Sequence, residues 1–255
     1  MVLWSENHVR TLLPALIIMV IVAGILRFAL GSKSHRIRMI PFQILTCIVL
    51  LLEVGKQALS FHHGYDLYHI PLHYCSLAIF TMPLLAFYNG KHAGKLRAIA
   101  GAVCSAIFLL TAIYPALIYS GACVDNYFMY FMDFHTVTFH NIVMFAFLLI
   151  PALDLCEAPS KGDWKAVSLF IVGYSAVAAP LAQILQTNFN NFYSCNVPPL
   201  ETLRISLQSV LGAMVTQILY VLIVVILDVL FTVGAYWFYR LLRRLARDRK
   251  TQVSA

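Results

Sequence analysis

Leu12-Leu-Pro-Ala-Leu-Ile-Ile-Met-Val-Ile-Val-Ala-Gly-Ile-Leu-Arg-Phe-Ala-Leu30 runs for nineteen residues with one charge, Arg27. At about 1.5 Å per residue such a helix covers close to 30 Å, the thickness of a bilayer's hydrocarbon core. No A-x-A-like site follows it, so it reads as a signal-anchor and not as a cleaved leader. Similar stretches recur at roughly 39–60, 70–88, 98–119, 134–155, 166–186 and 203–239, bounded by short polar links such as 89–95 and 158–163. The chain is 61% hydrophobic and 11% charged. The expected fold is therefore all-α: a polytopic membrane bundle of about seven transmembrane helices forming one domain over 1–240. A basic tail follows at 241–255. The last stretch is too long for one straight crossing and is expected to project beyond the bilayer.

The net charge of +7 follows from topology, without any need for a nucleic-acid partner. Arg27, Lys33, Arg36 and Arg38 follow the first span, Lys91, Lys95 and Arg97 the third, and Lys161 and Lys165 the fifth. With Arg240, Arg243, Arg244, Arg247, Arg249 and Lys250, fifteen of the 18 basic residues share one side. The positive-inside rule puts that side in the cytoplasm, with the N-terminus outside and the C-terminus cytoplasmic. The reading is a multi-pass integral protein of a bacterial cell membrane or of a eukaryotic organelle or plasma membrane. The sequence leaves the choice of membrane and the oligomeric state open.

The six cysteines form no C-x-x-C or metal-finger pattern. Cys123 and Cys195 fall in outer loops, where an oxidising compartment favours a disulfide between them. Cys47, Cys104 and Cys156 read as packing residues. Cys75 differs, because it ends His69-Ile-Pro-Leu-His-Tyr-Cys75, a polar intrusion at the start of the third apolar stretch.

Depth counting gives that intrusion neighbours. Glu53 and Lys56 lie roughly 6 to 11 Å below the outer end of the second span, and His73 and Cys75 roughly 4 to 8 Å into the third. His135 and His140 enter on the fifth span, while Gln183, Gln186 and Asn188 reach the same outer third from the sixth. Ionisable groups inside a membrane face one another or a water-filled cavity, so one converging site is expected. Glu53 and Lys56 at i,i+3 can pair along their helix, or Glu53 can orient a histidine. A cysteine nucleophile needs a base, and His140 on another helix can face Cys75 in a way that His73, two residues away, cannot. Metal binding by His69, His73, Cys75, His140 and Glu53 is a rival, but no H-E-x-x-H or comparable motif occurs, and no metal or other cofactor is expected.

Ile70-Pro71-Leu72-His73-Tyr74-Cys75 is similar to an L-P-L-H-L-C segment of YwaF-like bacterial membrane proteins. His140 early in a later helix, Thr187-Asn188-Phe189 and the acidic Glu53 fall in the same order. The chain resembles those proteins and, more distantly, the transmembrane protein 164 family of acyltransferases. Phe189 stands where the bacterial relatives usually have tyrosine. The resemblance implies fatty-acyl transfer between phospholipid and lysophospholipid, with Cys75 as nucleophile, His140 as base, and Glu53, His73 and Asn188 as supporting polar groups. The alternative is a non-enzymatic transporter or receptor for a lipid or small molecule, built around the same polar outer cavity.

Overall fold

The computed structural model describes residues 4–156 and 160–253, with side chains to residue 245. Residues 158–159 of one predicted link, and the side chains beyond 245 in the predicted tail, lie outside that range. All regular structure among the described residues is helical. The long helices are α1 (Glu6–Leu30), α2 (His35–His62), α4 (Ala93–Ile113), α7 (Phe131–Ala152), α8 (Trp164–Ile184) and α10 (Ala213–Val253). Between them lie α3 (Leu77–Phe87), the short α5 (Pro115–Ile118) and α6 (Gly121–Asp125), and α9 (Pro198–Leu211). Six helices are long and apolar enough to cross a membrane, and Tyr74–Phe87 is a shorter apolar helical segment among them. The protein is a multi-pass integral membrane protein.

Helix α4 is the hub, packing against α3, α7, α8 and α10. Its buried face is built from Ala98, Ala100, Gly101, Ala102, Cys104, Ser105 and Ala106. Small side chains let helix backbones approach closely, which drives packing where lipid tails are as apolar as leucine. At Gly101 a Cβ would lie 2.3 Å from the Tyr239 ring of α10, so only glycine fits this crossing. Ser105 adds a hydrogen bond to the Ala235 carbonyl at 3.0 Å. Helices α1, α2 and α10 instead leave many large apolar side chains exposed around the bundle, the surface expected against lipid.

The end of the bundle opposite the N-terminus is clamped by arginine. Asp154, just after α7, receives Arg243 at 2.5 Å and Arg38 at 3.5 Å. Arg38 also donates to the Leu153 carbonyl, His35 to the Leu155 carbonyl, and Arg243 to the Cys156 carbonyl. These side chains thus hold the backbone carbonyls of the chain just after it leaves α7. Two charges that the sequence assigns to topology, Arg38 and Arg243, therefore also join α2, α7 and α10.

Two expectations about the long elements change. The stretch 203–239 is not one helix, because Gly212 adopts φ +81° and separates amphipathic α9 from α10. The third span does not begin as a helix at residue 70. Pro71 holds Ile70 in extended backbone (φ −57°, ψ 131°), and regular α-helix starts only at Leu77.

The cysteines also depart from expectation. The predicted Cys123–Cys195 disulfide is absent, and both are free thiols. Cys123 sits on α6, which packs on α1 and α7, with its sulfur 3.5 Å from the Ser120 hydroxyl. Cys195 is anchored elsewhere, its backbone N–H donating to Glu201 Oε2 at 2.9 Å beside α9. The two cysteines rest against different elements, and a disulfide needs Cα atoms within about 7 Å. Cys47 is exposed on α2, whereas Cys104 and Cys156 are buried as expected.

Candidate functional site

Residues 63–76 pass from α2 to α3 mostly as irregular chain, which within a membrane is tolerated only where protein or a cavity satisfies the backbone. Gly64 at φ +82° turns the chain out of α2, and Asp66 caps a short 3-10 turn through the Tyr68 N–H at 2.9 Å. Tyr174 of α8 donates to the Leu72 carbonyl at 2.6 Å, and Gln57 of α2 to the His69 carbonyl at 2.7 Å. The His73 ring donates through Nε2 to the Tyr68 carbonyl at 2.9 Å and lies edge-on to Phe189. His73 is therefore a brace of the loop.

That brace delivers Cys75 to the 3-10 turn Tyr74–Ser76, immediately before α3. Buried Tyr74 fixes the turn through a 2.6 Å hydrogen bond to Thr232 of α10. Because the chain is extended at Pro71, His69 and His73 do not share a helical face. His69 Nδ1 pairs with Ser60 Oγ at 2.8 Å, and no group of three His, Cys, Asp or Glu among the described residues is placed to hold a metal ion.

Helix α7 supplies the histidines. His140 donates from Nδ1 to the Thr136 carbonyl at 2.7 Å. A carbonyl can only accept, so the neutral ring carries its proton on Nδ1 and its lone pair on Nε2. That Nε2 is buried and has no partner. His135 faces Glu53 instead, with Nε2 at 3.7 Å from Oε2. Glu53 also binds Lys56 at 2.9 Å and Gln57 at 2.7 Å. Glu53 thus pairs with Lys56 along α2, and the histidine beside it is His135, at a separation longer than a hydrogen bond.

One cavity of about 260 Å³ collects these groups, and Glu53, Lys56, His73, Cys75, His140 and Asn188 all line it. Distance along the helices explains the convergence. Glu53 is fifteen residues from Arg38 and His140 fourteen from Asp154, so both lie about 21 to 22 Å from the same arginine clamp. Asn188 lines the wall with its amide engaged, accepting from the Tyr193 and Ser194 N–H groups and donating to Asn196 at 3.1 Å.

A family model described as the TMEM164 family matches residues 3–234, nearly the whole chain. The chain belongs to the TMEM164 family. No curated protein and no solved structure matches it.

In this TMEM164-family protein, Asp228 escapes a reading by motif. It lies on α10 fifteen residues from Arg243, and so at the depth of Glu53 and His140. Its carboxylate accepts from Asn190 at 2.5 Å, and Asn190 in turn lines the cavity. A lone carboxylate inside the apolar run 213–239 was the available signal. His8 escapes as well, for a structural reason: it is fully buried, closes a capping box with Ser5, and pairs with the Tyr119 carbonyl at 3.0 Å.

Proposed function

We propose that this TMEM164-family protein moves a fatty acyl chain between phospholipid and lysophospholipid, with Cys75 as nucleophile and His140 as general base. The observation that carries this reading is the buried, unpartnered Nε2 lone pair of His140 in the cavity that also holds the Cys75 thiol. A thiol shielded from water does not ionise alone; it passes its proton to a base as it attacks. The Thr136 carbonyl fixes the His140 tautomer that can take that proton.

In the first half-reaction His140 Nε2 accepts the thiol proton and the Cys75 sulfur attacks the ester carbonyl. The tetrahedral intermediate expels the lysophospholipid alkoxide, which takes the proton back from the imidazolium, leaving a thioester on Cys75. In the second half-reaction an acceptor lysophospholipid hydroxyl gives its proton to His140 and attacks the thioester, which regenerates the thiol. Glu53 and Lys56, with His135 beside them, form a polar wall that holds headgroup atoms and water at this depth.

The test uses purified protein in phosphatidylcholine vesicles with acyl-labelled donor and lysophospholipid acceptor. Intact-mass measurement should find one acyl group on the wild type, none on Cys75→Ala, and transfer reduced roughly 10²- to 10⁴-fold in His140→Ala. Transfer that survives Cys75→Ala refutes the nucleophile, and absence of any acyl-enzyme together with absence of transfer favours a lipid-binding or transport role.

A further inference from the structure

A second cavity, about 420 Å³, lies between α9 and α10. Helix α9 contributes Leu200, Leu203, Leu207 and Leu211 to it, spaced three, four and four residues apart as one helical face. Helix α10 answers with Ile223 and Leu227, and no residue of α9 is buried. The chain therefore positions a fourteen-residue helix whose apolar face meets an open groove instead of a protein core. Gly212 at φ +81° sets the two helices against each other and defines one end of the groove.

The other end identifies the occupant. Asn190, Asn191 and Asn196 line this groove and also line the cavity that holds Cys75 and His140. A single loop wall thus separates a leucine-lined trough from a thiol and a free imidazole nitrogen. Asn190 stands in left-handed backbone at φ +49°, a conformation asparagine tolerates better than most residues, and its amide is pinned by Asp228. Tyr220 of α10 donates to the Asn191 carbonyl at 2.5 Å, so both asparagines are tied to the helix that forms the groove floor.

We infer that the α9/α10 groove binds one long acyl chain of a membrane lipid and aims its ester across the asparagine wall at Cys75. Arg204, the cation on its wall, is already held by Glu201 at 2.7 Å and Gln217 at 2.7 Å. It offers no free charge for a fatty-acid carboxylate, so the chain enters as an uncharged ester. From Thr216 to Asp228 the groove floor runs about 18 Å, long enough to grip many methylenes. Each buried methylene favours binding by roughly fourfold, so the groove selects for chain length. The chemistry at Cys75 rests on the transfer reading above, whereas the binding site itself does not.

Two measurements separate those claims. In phosphatidylcholine vesicles, the ratio of Cys75 acylation by palmitoyl donor to that by butanoyl donor should fall at least tenfold in Leu203→Trp and in Leu207→Trp. An unchanged ratio overturns the groove as the chain site. Independently, a phosphatidylcholine carrying a photoactivatable diazirine in its palmitoyl chain should label residues 198–228 preferentially, in wild type and in Cys75→Ala, and less in Leu207→Trp. Labelling spread equally over the exposed faces of α1 and α2 overturns the inference. Preferential labelling without acylation of Cys75 supports the groove and refutes the transfer chemistry alone.

Discussion

Replacing Glu53 by Gln tests the buried charges of α2 directly. Glu53 and Lys56 are 2.9 Å apart, with side chains only 10% and 11% exposed. At an effective dielectric of about 20 they attract by roughly 6 kcal/mol, and dehydration of both ions offsets most of that. The two positions are not equivalent. Glu53 keeps Gln57 and His135 if Lys56 is lost, whereas the Lys56 ammonium is held by Glu53. Glu53→Gln should therefore cost about 3–5 kcal/mol, the usual result of leaving a buried charge unpaired, and Lys56→Met about 1–3 kcal/mol. The double variant should cost less than the sum by about 1–3 kcal/mol. On the scaling of soluble domains this size, Glu53→Gln lowers Tm by roughly 6–20 °C. Thermal unfolding of the four proteins in one detergent measures all three quantities. Additive losses, or a Lys56→Met variant less stable than Glu53→Gln, would refute the argument.

Further outcomes follow from other contacts. Gly101→Ala forces a methyl into the fully buried Tyr239 ring, whose hydroxyl is held by Cys156 at 2.7 Å, and should lower stability by about 1–3 kcal/mol; an unchanged Tm contradicts the crossing described here. Denatured, unreduced protein should take up maleimide-polyethylene glycol at both Cys123 and Cys195, since both are free thiols. Modification that appears only after reductant would restore the disulfide.

Apolar run length settled the architecture from sequence, because a bilayer leaves a chain few ways to satisfy its backbone, and the periodic arginines marked one end of the bundle. Counting residues along straight helices also located the polar layer, since helical rise is nearly constant. The count places Glu53 on α2 and His140 on α7 in one layer, whereas His73, Cys75 and Asn188 reach the same cavity from chain outside the α-helices, where constant rise does not apply. The count cannot supply azimuth, and azimuth decided which histidine meets Glu53. Nor could it foresee that Pro71 delays the third helix to Leu77, or that Gly212 splits the last apolar stretch into α9 and α10. Those breaks are local, but what they create is not: a loop braced by Tyr174 and Gln57, and a groove between two helices. The pairing of Cys123 with Cys195 failed for the same reason, because loops on one side of a bundle can still rest on different helices. Helical rise thus sets depth wherever the chain is helical, while tertiary packing alone chooses the neighbours at each depth.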